Sequence, residues 1–423
     1  MTTAPDEIVA AGDRLRHAGS ELRRRPLGET LDSLAGLFDG WSDSGSPWRQ
    51  KLVAMHPAAC GFDDGMVAEG LERGLGHWTG SALIELVERE LASRALLERS
   101  EPPLVAGFPL TTVVLAGSIP MPTLLALVLP LVLRSPVLAK CAARDPITAP
   151  AVADSLAELD PLLGRCIEIV TSTRGDDACT QALLSAECVV ATGTDSSVHA
   201  LASKMHATQR FVGYGHRLSL AVLGSEACRP DVVEEVAARL ALDVALWDQL
   251  GCLSPIAVWV EGDLAGAERV SDALAAALVD AERRWPRGEI AMEAAAAIAR
   301  ERSEAELRAA AGRPVRVRHG DGTSWTIVLE SDGQPRAYPL HRFLRVHPVA
   351  DRGALLSALA PLSPHLAAVA VEGVSREREL AKELAALGAS RICRPGELQS
   401  PPLGWHHDGR PLLVPLARFC DLA

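Results

Sequence analysis

The chain has 423 residues and a mass of 44.8 kDa, more than one hydrophobic core usually organises, so two or three domains are expected. Hydrophobic residues at 48% and charged residues at 23% exclude global disorder. A net charge of −12 with no long basic block argues against nucleic acid as a partner, and the one basic stretch, RLRHAGSELRRRP, reads as a solvated helix face.

Residues 1–100 read as helical. DEIVAAGDRLRHAGSELRRR and SALIELVERELASRALLER carry apolar positions three or four apart, and FDGWSDSGSPW between them reads as a loop. Pro102 to Leu133 holds no charged residue and is long enough to cross a membrane. Gly117, Pro120, Pro122 and Pro130 interrupt it, so a strand, a turn and a buried helix explain it better, and no membrane span is expected.

From residue 110 onward strands and helices alternate. The strands are TTVVLAG, SPVLAKCA, CIEIVTST, ECVVATGT and a fifth strand region, RFVGYGHRLSLAVL. The helices between them are MPTLLALVLPLVLR, ITAPAVADSLAEL, DACTQALLSA and DSSVHALASKM. This alternation predicts an α/β fold with a parallel sheet that binds its ligand at the carboxyl ends of the strands. Beyond it lie the helix DVVEEVAARLALDVALWDQLG, the strand IAVWVEG and two Ala-rich helical stretches. Residues 313–349 read as β hairpins turning at GDG and SDG. A second αβ pattern, AAVAVEG, LAKELAALG and RICRPG, leads to the irregular loop SPPLGWHHDGRP.

Nine cysteines, none in a C-x-x-C pair, and an N-terminus without the apolar core of a signal peptide point to reduced thiols in a cytoplasm. No cysteine spacing supports zinc, and adjacent His406 and His407 on an irregular loop rarely converge on one ion, so no metal is expected. Cys141, Cys166, Cys179 and Cys188 fall in or beside predicted strands and helices and read as inert. Cys252 follows Gly251 in LWDQLGCLSP, on a turn between a helix and a strand. From the residues alone it is either a nucleophile or a small apolar side chain at a junction. No G-x-G-x-x-G follows the first strand, which is succeeded by AGSIPMP, and there is no phosphate-loop motif.

The order of VLAGSIPMP, VLAKCAARDP, VVATGTDSSV, VGYGHRLSLAVL and QLGCLSP, with the closing RICRPGELQSPPLGWHHDGRPLLVPLARF, resembles LuxC-type acyl-CoA reductases (fatty acid reductases) of the aldehyde dehydrogenase superfamily. The likeness covers roughly 100–260 and 390–420. It implies an aldehyde dehydrogenase-like fold with four parts. These are a helical region, 1–100, packed on the cofactor domain; a Rossmann-type dinucleotide-binding domain, 101–228; a catalytic domain, 229–395, carrying Cys252; and a C-terminal segment, 396–423. The superfamily also has a β-hairpin arm used for oligomerisation.

The resemblance makes Cys252 the nucleophile that attacks an acyl thioester, after which a nicotinamide cofactor reduces the thioacyl-enzyme to an aldehyde. Ser118 stands where the superfamily has an oxyanion-holding Asn; the other reading is a cap on the following helix. Lys140 matches the lysine that contacts the adenosine ribose. Ala143 replaces a Glu common in NAD-preferring members, and Arg144 follows, which favours NADPH; the other reading of Arg144 is a solvated helix-start residue. Gly193 and Thr194 match the turn beside the cofactor diphosphate, and Gly117 opens the first such turn; the plainer reading is an ordinary αβ turn capped by Asp195. No carboxylate lies between Phe211 and Gly224, where aldehyde-oxidising relatives keep a water-activating Glu. His216 is the nearest titratable group there, as a proton donor, as an activator of Cys252, or as a structural histidine. By the same resemblance the WHHDGRP loop borders the active site, with Arg410 or His407 as the expected contact for a substrate phosphate. The substrate implied is an acyl-CoA or an acyl-carrier thioester, with a homo-oligomer and a partner acyltransferase as further expectations. The other reading of the whole is an acyltransferase or acyl-binding protein on the same fold without reductase activity.

Overall fold

A computed structural model describes residues 2–91, 104–173 and 175–421. Five helices come first: α1 (Pro5–Leu22), α2 (Leu27–Ser42), α3 (Pro47–Cys60), α4 (Asp64–Leu75) and α5 (Gly80–Glu90). Ser46, Asp63 and Thr79 cap α3, α4 and α5 by accepting a backbone N–H three residues on. The FDGWS segment expected as loop is the last turn of α2, because Phe38 and Trp41 fall on its buried face. The remainder of the second expected helix, 92–99, lies outside the described residues.

The first sheet holds β2 (Thr111–Val114), β3 (Val137–Lys140), β4 (Ile167–Val170), β5 (Cys188–Thr192) and β6 (Arg210–Tyr214). Its order is β4-β3-β2-β5-β6, all parallel. α6 (Pro120–Val132), α7 (Thr148–Leu159), the single turn α8 (Pro161–Gly164), α9 (Asp177–Leu183) and α10 (Asp195–Ala202) connect these strands. The apolar run expected to be buried is α6. Leu124, Leu127 and Leu131 share one core with Leu34, Phe38 and Leu71 of the N-terminal helices. No helix among the described residues is long and apolar enough to cross a membrane.

The fifth strand region is two strands in two sheets. β6 closes the first sheet, and β7 (Leu218–Leu223) is central in the second, with three residues between them. The change of sheet therefore falls ahead of the boundary expected after 228. The second sheet runs β13-β12-β7-β8-β11-β10-β9, comprising β8 (Pro255–Glu261), β9 (Arg316–His319), β10 (Thr326–Leu329), β11 (Phe343–Val349), β12 (Leu366–Glu372) and β13 (Arg391–Cys393). Packed around it are α11 (Val233–Ala245), α12 (Leu264–Arg284), α13 (Met292–Ala310), α14 (Arg352–Leu359) and α15 (Glu377–Ala386).

Only the first of the expected hairpins forms. β9 and β10 pair antiparallel across the GDG turn, whereas β10 and β11 are parallel, so SDG closes no hairpin. Both strands are almost wholly buried, and burial on two faces suits parallel pairing. β1 (Leu104–Ala106) and β14 (Arg418–Cys420), from distant parts of the chain, form a separate antiparallel pair.

Candidate active site

Cys252 is presented by an unusual turn. After α11, Trp247, Asp248 and Gln249 all take positive φ, 55°, 49° and 63°. Such conformations cost about 1–3 kcal/mol each in non-glycine residues, so the surroundings must over-determine them. Gln249 donates to the carbonyls of Pro255 (2.8 Å) and Phe343 (2.9 Å) and accepts from the Phe343 N–H (2.8 Å). Asp248 pairs with Arg342 at 2.8 Å and accepts from the Gly288 N–H at 3.1 Å. Leu340, His341 and Arg342 form a second left-handed run, so two such turns brace each other. The Ser219 hydroxyl of β7 donates to the Cys252 carbonyl (2.8 Å) and accepts from the Ala368 N–H of β12 (3.2 Å). The cysteine turn is thereby fixed over the central strands of the second sheet.

Cys252 itself is half-buried. Burial pushes its thiol up to about 11, and the charge of Asp408 adds to this; its own N–H, that of Leu253 and the Arg217 guanidinium pull the other way. Cys166 and Cys188, fully buried, reach about 12. The thiol's pKa therefore does not single out Cys252; its place and its neighbours do.

Those neighbours come from the 405–410 loop. The Asp408 carboxylate is fully buried, 2.9 Å from Arg217 Nε, 3.5 Å from Arg410 and 3.9 Å from His407 Nε2. Asp408 has φ 56°, a further strained residue at this place. The His407 ring stacks on Tyr214 at 4.8 Å and lies 5.0 Å from Trp405. The Arg410 guanidinium lies over the Tyr214 ring at 4.7 Å and donates to the Gly213 carbonyl at 2.8 Å. Burial lowers the His407 imidazole from its ordinary value, against the pull of Asp408, so the ring is neutral near pH 7.

The expected residues fall in three places. Gly117 (φ 91°) and buried Ser118 lie in the turn after β2. A Cβ on Gly251 would stand 3.0 Å from Ile119 Cδ1, so this turn abuts the cysteine turn. α6 begins without a side-chain cap, so Ser118 does not serve as one. Gly193 and Thr194 follow β5, the neighbour of β2. Thr194, not Asp195, caps α10 by accepting the Ser197 N–H at 3.3 Å. Connections leave β2 and β5 toward opposite edges of the sheet, which makes the carboxyl ends of these strands the crevice of such folds. Lys140 ends β3, half-buried, with its amine 3.4 Å from the Cys141 carbonyl. Exposed Arg144 lies close enough to His341, together with Arg287, to help burial lower that imidazole to about 4.

His216 stands apart from this group. Its N–H donates to Asp195 (2.7 Å), and its ring contact is His365, 5.5 Å away. Burial, then His365, lowers it from its ordinary value. Sequence reasoning missed Asp408 and Arg217 as companions of the thiol. The stretch 211–224 holds no carboxylate, yet one reaches the same region from the C-terminal loop. The only sequence signal was the resemblance of that loop to a border of the active site.

The aldehyde dehydrogenase fold is evident in solved structures. The crystal structure of an oxidoreductase from Marinobacter aquaeolei superposes with a TM-score of 0.76 at 13% identity, covering 99% of this chain and 90% of that one. A NAD-dependent benzaldehyde dehydrogenase from Corynebacterium glutamicum gives 0.74 at 12%, with 99% and 90% covered. In sequence, long-chain acyl-protein thioester reductase 2 of Photobacterium leiognathi is 24% identical over 343 residues, 78% of this chain and 69% of the relative. The corresponding Photobacterium phosphoreum protein is 24% identical over 347 residues, 78% and 67%. The family model described as acyl-CoA reductase (LuxC) matches residues 22–420. The chain belongs to the acyl-CoA reductase (LuxC) family.

Proposed function

We propose that the protein reduces an acyl thioester, a long-chain acyl-CoA or an acyl group carried on a protein, to the aldehyde through a thioacyl-enzyme on Cys252, with NADPH as reductant. The observation that carries this reading is the contact between the cysteine turn and the 117–119 turn at the carboxyl end of β2. It sets the Cys252 turn against the crevice where such sheets hold a dinucleotide.

The residues of the crevice fit that cofactor. A Cβ on Gly193 would make only an ordinary contact, 3.5 Å to Ser197 Cβ, and α10 presents an exposed, threonine-capped N-terminus beside it. Lys140 and Arg144, at the end of β3, would hold the ribose and a 2′-phosphate. A bound nicotinamide cofactor supplies hydride to the acyl carbon.

The protein's own groups do the rest. The Cys252 thiolate attacks the thioester carbonyl, and the departing thiol takes a proton. The Cys252 N–H and the Ser118 hydroxyl hold the oxyanion. Because the thiol rests protonated, its proton needs an acceptor; His407, a neutral imidazole beside Asp408, is the candidate, and His216 is the other imidazole expected for this role. After reduction, the hemithioacetal collapses, releasing aldehyde and Cys252. Asp408 is engaged by Arg217 and Arg410, so it is not a free base for activating water. The thioacyl group is therefore spared hydrolysis and stays available for reduction.

A panel of acyl-CoA and acyl-protein donors, each with NADPH and NADH, tests this by detecting aldehyde with mass spectrometry. Aldehyde formed with NADPH, and lost in Cys252→Ala, is the expected result. An acyl adduct on Cys252 with no cofactor consumed would overturn the reductase and leave an acyltransferase. Adding a candidate acyltransferase to the assay tests whether the donor is delivered by a partner.

A further inference from the structure

A second group of chemistry-bearing side chains lies away from Cys252. His56 and Cys60 are one turn apart on α3 and so share a face of that helix. Asp145 comes from the loop between β3 and α7. One ligand atom from each falls within 4.8 Å of the other two. His56 and Asp145 are buried, with His56 Nε2 3.7 Å from Asp145 Oδ2, too far for a hydrogen bond. His56 Nδ1, His56 Nε2 and Asp145 Oδ2 all lack a hydrogen-bond partner. Leaving such groups unmatched in a protein interior costs about 1–3 kcal/mol each, more for a charge.

Asp145 is oriented as a metal ligand is. Its Oδ1 accepts the N–H groups of Ile147 (3.1 Å) and Thr148 (2.9 Å), which fixes the carboxylate and directs Oδ2 to the cluster. The His56 ring is held by stacking on Phe62 at 5.9 Å and an edge contact with Trp247 at 6.2 Å. Cys60 is the half-buried member, so its side is where an ion and a water enter.

We propose that His56, Cys60 and Asp145 bind a zinc-class divalent ion, with water as fourth ligand. Bonds of about 2.0–2.3 Å place tetrahedral ligand atoms roughly 3.3–3.6 Å apart, so the present separations need close by only about 1 Å. A deprotonated thiol and a carboxylate neutralise the ion's two charges, and the thiol proton leaves to solvent. An imidazole, a thiolate and a carboxylate select zinc or cobalt(II) over magnesium or calcium. The ion would staple α3 to the loop that continues from Lys140 and Arg144. Its two buried ligands, His56 and Asp145, favour a structural role.

Zinc content after dialysis and the absorption spectrum with cobalt(II) test the site. The native protein is expected to retain one zinc ion per chain. With cobalt(II) it should show thiolate charge transfer in the near ultraviolet and tetrahedral bands in the visible. Cys60→Ala, at a half-buried position at the helix end, should fold, lose both signals and show no rise in Tm on adding zinc. Cys252→Ala should keep both. A native protein that binds no more zinc than Cys60→Ala, or a cobalt spectrum without the thiolate band, would overturn the site. If His56→Gln fails to fold, the Cys60→Ala comparison still decides.

Discussion

His56 and Cys60 sit on α3 with Asp145 facing them from the β3–α7 loop; Cys252, His407 and Asp408 sit where the two large sheets meet. Both groups contain a cysteine, a histidine and an aspartate. In the first, the aspartate touches no guanidinium and three polar atoms are left unmatched. In the second, Arg217 and Arg410 neutralise the aspartate, and the histidine is packed between Tyr214 and Trp405. Buried ligand atoms with no counter-charge favour a cation, whereas a carboxylate held by two guanidinium groups beside a thiol leaves the sulfur free to react. Residue types alone do not define the chemistry; what balances each charge does.

The largest expected effect separates the two cysteines directly. Cys252→Ala should lower aldehyde formation by at least about 1000-fold, since no other group can form the thioacyl bond. Cys60→Ala should leave kcat within a few-fold of the native value while lowering Tm. Aldehyde yield and a thermal melt on the two variants read this out. Equal losses of turnover in both, with both folded, would erase the distinction.

Next in size is the oxyanion. Removing one such donor costs about 100-fold or more in kcat. Ser118→Ala should show that loss with KM for the acyl donor little changed, and Ser118→Asn should recover part of it. A kcat unmoved by Ser118→Ala would mean that the serine hydroxyl plays no part in the reaction and that backbone N–H groups hold the oxyanion alone.

Arg144 links the two regions, because it precedes the cluster residue Asp145 and lies on the expected cofactor edge. Arg144→Ala should raise KM for NADPH about tenfold, the loss of one charge-assisted pair, and leave KM for NADH nearly unchanged. Steady-state kinetics with both cofactors checks it. An equal effect on both would assign Arg144 to holding the loop rather than to reading the 2′-phosphate.

The alternation of β-branched runs with apolar helices was legible because parallel strands buried on both faces leave no other pattern. Phe211–Leu223 misled because β6 and β7 follow one another with only Gly215, His216 and Arg217 between them, and nothing local marks a change of sheet. FDGWS looked like a loop by composition, yet Phe38 and Trp41 keep it helical through burial. The Cys252 turn was readable as a helix-to-strand junction because it lies in one continuous stretch, QLGCLSP. Its companions Arg217 and Asp408 were not, since their pairing joins residues far apart in sequence. The His56 cluster was hidden for the same reason: two ligands one helical turn apart mean little until the β3–α7 loop brings the third.

The smallest expected effect concerns how Asp408 tunes the thiol. With Cys252 raised to about 11, only a small thiolate fraction exists at neutral pH, and alkylation of Cys252 should climb about tenfold per pH unit up to that point. Asp408 contributes to the rise and Arg217 opposes it. Asp408→Asn should therefore lower the thiol's pKa and speed iodoacetamide labelling of Cys252 at pH 8 several-fold, while Arg217→Gln should slow it. Cys60, in protein stripped of metal, supplies the internal control: its thiol is then raised to about 12 by burial and next by Asp145, with no contribution from Asp408. Peptide-resolved labelling of both cysteines in the two variants should show opposite shifts at Cys252 and none at Cys60. Parallel shifts at both would point to general loosening of the fold, and no shift at Cys252 would remove Asp408 from the thiol's surroundings.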